Sequence, residues 1–113
     1  MATFSGAGPG STSYSAAMGA PATIVVAGLT VTCSPGFQYI MTNTKGAFTA
    51  TLPANPKPND TIWISNFTTR ADGTVSRNGN KIESTTQDIT FDVIAGTLQL
   101  KYTNPTIGWI VVN

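Results

Sequence analysis

Histidine is absent from the chain, and cysteine occurs once, at Cys33. Without histidine the commonest general base is missing, and Ser-His-Asp and Cys-His nucleophile systems are excluded. A single cysteine forms no intrachain disulfide, and a metal site built on it would have to draw its other ligands from carboxylates. Charge is scarce as well: Asp, Glu, Lys and Arg make up 10% of 113 residues, against about 25% in an ordinary globular domain. The net charge of +1 gives no electrostatic drive toward nucleic acid, anionic membranes or acidic substrates, and it does little to keep copies of the chain apart. Long apolar runs are missing too. The uncharged stretch from Ala2 to Thr44 is broken throughout by Gly, Pro, Ser and Thr, so it cannot form a membrane-spanning helix.

Threonine dominates what is there, with 19 copies. It is β-branched and fits a pleated, half-buried surface, which points to an all-β domain. The length suits one domain with a single core. Residues 1–21 are mostly Gly, Ala, Ser, Thr and Pro, a composition that buries too little apolar area to offset its ordering entropy. They read either as a loose tail or as an extended arm whose large side chains, Phe4, Tyr14 and Met18, enter pockets on a partner. The arm carries no basic, apolar leader pattern, so the expectation is synthesis in the cytoplasm of the producing cell without export.

From residue 22 to 113 short β-like runs alternate with turn signals, the spacing of a small antiparallel β-sandwich or barrel. "ATIVVA" reads as a strand covered on both faces. "LTVTC" follows and places Cys33 as a small buried hydrophobe. In "AFTATL", Phe48, Ala50 and Leu52 share one face. The segment "PANPKPND" then removes backbone donors and stiffens the chain, so it serves as a crossover between sheets rather than as a strand. In "TIWIS" Trp63 faces away from Ile62 and Ile64. "NG" at Asn78–Gly79 is a type I′ signal that would pair residues 74–77 with 80–83. "DITFDV" places Ile89, Phe91 and Val93 inward, "TLQLKY" does the same for Leu98, Leu100 and Tyr102, and "WIVV" closes the chain. Strands apolar on both faces must be covered on both, by a second sheet or by another subunit.

Together "FTATLPANPKPNDTIWISN", "RNGNKIES", "LQLKYTN" and "GWIVVN" resemble a β-domain of tailed-bacteriophage virion proteins, found in head decoration (cement) proteins, fibres and tail appendages. The resemblance spans about Ala47 to Val112. It departs at Asn59, where the family usually has glycine, but asparagine also accepts positive φ. The resemblance implies a symmetric, usually trimeric, structural module without catalysis or cofactor. A short chain of an arm plus one domain favours a cement protein on the outer head, in contact with the major capsid protein and with itself, through the arm residues Phe4, Tyr14 and Met18. The alternative is a tail or fibre appendage that binds host-surface carbohydrate, with Trp63 and Trp109 as stacking platforms and Asn78, Asn80 and Asp72 as polar partners. In the first reading Trp63 and Trp109 instead cover the core or an oligomer interface. Arg70, Arg77 and Lys81 make only a small basic group, so no nucleic-acid partner is expected.

Overall fold

The structure, a computed structural model, describes residues 21–112; the arm residues Phe4, Tyr14 and Met18 lie outside the described residues. Nine strands follow one another: β1 (Ala22–Val26), β2 (Thr30–Thr32), β3 (Phe37–Met41), β4 (Thr49–Thr51), β5 (Thr61–Asn66), β6 (Gly73–Ser76), β7 (Ile89–Phe91), β8 (Thr97–Tyr102) and β9 (Trp109–Val112). Among the described residues there is no helix. The strands form a five-stranded sheet, β1-β3-β5-β8-β9, and a four-stranded sheet, β2-β4-β6-β7.

Both sheets are mixed, which corrects the antiparallel expectation. The chain alternates between them from β1 to β6, so each strand meets the strand two places earlier running the same way. β1–β3, β3–β5, β2–β4 and β4–β6 are parallel pairs. Only the last third reverses direction, where β5–β8, β6–β7 and β8–β9 are antiparallel. Alternating apolar residues bury one face in either kind of ladder, so the pattern fixes the strands without fixing their direction.

One core lies between the sheets. Tyr39, Met41, Ile62, Ile64, Leu100, Tyr102 and Trp109 enter it from the five-stranded sheet, and Ala50, Val75 and Phe91 from the other, with Phe48, Leu52 and Cys33 beside them. Phe48 and Phe91 meet edge to face at 5.8 Å, and Tyr102 and Trp109 at 5.4 Å. Such pairs add about 1 kcal/mol beyond the area they bury. The proline-rich connector does carry the chain from β4 in one sheet to β5 in the other. Asn59 takes a φ of 75°, as the turn there requires, and Asp60 Oδ2 accepts from the Lys57 N–H at 2.8 Å.

Three local expectations fail. Asn78 and Gly79 adopt the positive φ of the expected turn, at 51° and 87°, but residues 80–83 do not pair with β6. β6 pairs with β7, because the intervening segment is drawn instead to β9, where Trp109 N–H donates to Lys81 O and Glu83 N–H to Trp109 O. Val93 lies exposed in the loop after β7 rather than inward, since β7 ends at Phe91. β1 is not covered on both faces: Val25 remains 65% exposed.

Candidate interaction surfaces

Inward packing of Ile62 and Ile64 turns Trp63 and Ser65 to the other side of the five-stranded sheet, where Trp63 is half-buried and the small Ser65 has no exposed surface of its own. The register places Thr23, Gln38, Trp63, Gln99 and Val112 in one row across all five strands. A second row holds Val25, Ile40, Ser65 and Thr97, and a third holds Thr61, Lys101 and Ile110. Trp63 therefore sits at the middle of the central strand, half-buried, with an amide side chain on each side. Gln38 Nε2 donates to Ser65 Oγ at 3.0 Å, and Ser65 Oγ lies 2.7 Å from Thr97 Oγ1. This face carries one charge, Lys101, among Val25, Ile40, Trp63, Ile110 and Val112. Its polar groups are partly spent on one another, which lowers the cost of removing the face from water.

The outside of the four-stranded sheet is different. Thr30, Thr49, Thr74 and Thr90 form one row across it, and Thr32, Thr51 and Ser76 the next. The strand period puts these hydroxyls about 7 Å apart along a strand and about 4.8 Å apart between strands. The recurring "TVT", "TAT" and "TVS" carry this array, aligned by the parallel β2–β4 and β4–β6 pairs and completed at Thr90 by the antiparallel β6–β7 pair.

A third surface lies at one end of the molecule and is organised by Asn66. Its side chain is fully buried. Nδ2 donates to Arg70 O at 2.7 Å and to Val93 O at 3.1 Å, while Oδ1 accepts from Thr68 N at 3.0 Å and Thr68 Oγ1 at 2.6 Å. Its backbone adds two more bonds, to Gly96 O and from the Ala95 N–H. One residue thus ties the loop after β5 to the loop after β7. Phe67, Val93 and Ile94 stand exposed on these loops. Arg70 and Asp72 make a two-pronged ion pair, at 3.0 and 2.6 Å. The hydrogen bond from Arg70 holds the Asp72 carboxyl below the usual carboxylate range. Both groups face solvent, so the pair adds little to stability.

The residues expected from sequence separate. Trp63 lies on the outward face. Trp109 does not: it is fully buried against Tyr102, which removes it as a sugar platform and as an interface residue. Its direction follows from β9 pairing with β8, which turns Trp109 and Val111 inward opposite Tyr102 and Leu100. Asn78 and Asn80 spend their amide donors on the proline connector, Asn78 on Leu52 O and Asn80 on Pro53 O and Ala54 O. Asp88 accepts from the Arg77 N–H and Glu83 from the Val111 N–H. Cys33 is buried, and desolvation pushes its thiol up to about 12. Among the described residues no three side chains of metal-ligating type gather. The Asn66 hub had no visible signal in the sequence, because its partners are backbone groups that lie near it only after folding. No protein-family model and no curated protein matches the chain.

Proposed function

We propose that this chain is a structural protein of a tailed-bacteriophage virion that binds the outer surface of the head as an oligomer and stabilises the shell. The carrying observation is the outward face of the five-stranded sheet, where Trp63 sits at the centre of a broad, nearly uncharged surface of mixed apolar and amide character. A face of this kind suits a second protein surface better than it suits bulk water. Two open sheets around a shared core support the sandwich reading of the domain. The resemblance adds trimeric association, and contact with the major capsid protein through an arm over residues 1–21. Binding only to the assembled shell raises the energy needed to disrupt it, by mass action. Electron cryomicroscopy of the parent particle tests this reading. Density for the chain at symmetric positions on the outer head is expected, and density confined to the tail rejects it.

A second reading has one observation behind it. An indole between two amides, Gln38 and Gln99 on the neighbouring strands, resembles a stacking platform for a sugar ring. In this reading the chain is a tail or fibre appendage. Glycan-array binding that vanishes in Trp63→Ala with the fold intact would favour it over head decoration.

A further inference from the structure

The two sheets have four edges, at β1, β9, β2 and β7. An edge strand presents a row of free N–H and C=O groups, and proteins blunt such edges with charge, proline, shortness or a covering segment. Three of the four edges are blunted. β9 is covered by residues 81–83: Trp109 bonds both ways with Lys81 and Glu83, and the Glu83 carboxylate takes the Val111 N–H at 3.2 Å. Gly108, at φ 80°, lets the two segments approach so closely, since a side chain there would run into the Lys81 carbonyl. β2 and β7 are three residues long, and Asp88 and Asp92 flank β7.

Among the described residues β1 has none of these devices. Its five residues, "ATIVV", carry no charge and no proline, and four of the five are exposed. The Thr42 N–H bonds Val26 O across the β1–β3 ladder. In a parallel pair alternate residues face the partner, so Ala22, Ile24 and Val26 turn their backbone groups to β3. Thr23 and Val25 therefore turn theirs away from the sheet.

We propose that β1 is a pairing edge for a second copy of the chain, joined antiparallel about a two-fold axis at Ile24. Thr23 of each copy then lies opposite Val25 of the other. Each such pair exchanges both backbone hydrogen bonds, giving four across the axis, and two five-stranded sheets become one of ten. Neighbouring registers are worse. Centred on Thr23, the strand brings Val25 opposite Pro21, which has no N–H. Centred on Val25, it brings Thr23 opposite Ala27, whose carbonyl already accepts from Asn43 Nδ2 at 2.9 Å. The occupant is a second copy because the strand is self-complementary in this one register, and because an uncharged strand on a chain of net charge +1 meets little repulsion from itself. The pairing also extends the apolar outward face, since Val25 continues the row of Ile40. This contact is independent of the head-decoration reading and of any three-fold one.

Analytical ultracentrifugation of the full chain and of two double variants tests it. Thr23→Lys with Val25→Lys puts lysine opposite lysine twice, and weakens association at least about tenfold. Thr23→Glu with Val25→Lys puts Glu opposite Lys in both pairs and restores it to within a few-fold of the parent. Both positions are exposed, so circular dichroism and melting of the monomer stay unchanged. Amide exchange at Thr23 and Val25 slows as protein concentration rises. Four results overturn the proposal: a parent chain that is monomeric up to millimolar concentration, association insensitive to the paired lysines, equal behaviour of the two double variants, or protection of the Thr23 and Val25 amides that does not depend on concentration. The last would mean that residues 1–20 of the same chain occupy the edge. Location on the particle reads the decoration proposal separately, so the two can fail independently.

Discussion

Replacing Trp109 by alanine removes the largest fully buried side chain among the described residues. Deleting a buried Trp or Phe side chain costs about 3–5 kcal/mol through lost transfer energy and the cavity left behind. The edge-to-face contact with Tyr102, at 5.4 Å, adds about 1 kcal/mol. The expected loss is therefore about 4–6 kcal/mol, comparable to the whole stability of a small domain. Trp109→Phe behaves differently. It keeps a ring beside Tyr102, and it deletes Nε1, which is buried and has no hydrogen-bond partner among the described residues. A buried unpaired donor costs about 1–3 kcal/mol, so its removal offsets the smaller ring, and the variant stays within about 1 kcal/mol of the parent. Urea unfolding followed by far-ultraviolet circular dichroism measures both, with the slope serving as a check that the exposed surface is unchanged. A folded Trp109→Ala protein with an unshifted midpoint would refute the placement of Trp109 in the core. Equal losses in the two variants would refute the account of Nε1.

Asn66→Ala strips the Val93 carbonyl of its side-chain donor, leaves the Arg70 carbonyl with the long 3.5 Å bond from the Thr68 hydroxyl, and takes the acceptor from the Thr68 N–H. At about 1–3 kcal/mol for each group that water does not reach, the loss is about 3–4 kcal/mol, and amide exchange quickens at Thr68 and Ala95 more than in β3. Uniform quickening throughout the chain would show that Asn66 holds no loops in particular. The Cys33 thiol resists maleimide at pH 8 in native buffer and reacts at least about a hundredfold faster in urea; fast native labelling would contradict its burial. Because the folded thiol titrates at about 12, above its unfolded value, its contribution is complete below about pH 9 and is lost as pH rises toward 12. A Cys33→Ala variant removes that part of the alkaline dependence.

Several features were legible because their causes are local. The alternation in "AFTATL" and "TLQLKY" identified Phe48, Ala50, Leu52, Leu100 and Tyr102 as core residues, all buried. Proline geometry marked the crossover between β4 and β5, and asparagine's tolerance of positive φ explained residue 59. The outward direction of Trp63 followed from its two isoleucine neighbours. "WIVV" offered no such clue. Every position in it is apolar, so its periodicity leaves open which residues point inward, and Trp109 stayed undecided between core, oligomer interface and sugar platform until the structure placed it in the core.

Residue order alone was enough for the all-β class, most strand positions, the sheet-switching connector and the burial of Cys33, since each depends on the period of side chains along a strand or on the allowed φ of single residues. Tertiary contacts settled that β1 to β6 pair in parallel, that Thr30, Thr49, Thr74 and Thr90 fall into one row, that Glu83 closes the edge of β9, and that no other described residue covers the edge of β1. These depend on which distant segments become neighbours. A side-chain pattern with a period of two reads the same in either strand direction and beside any partner.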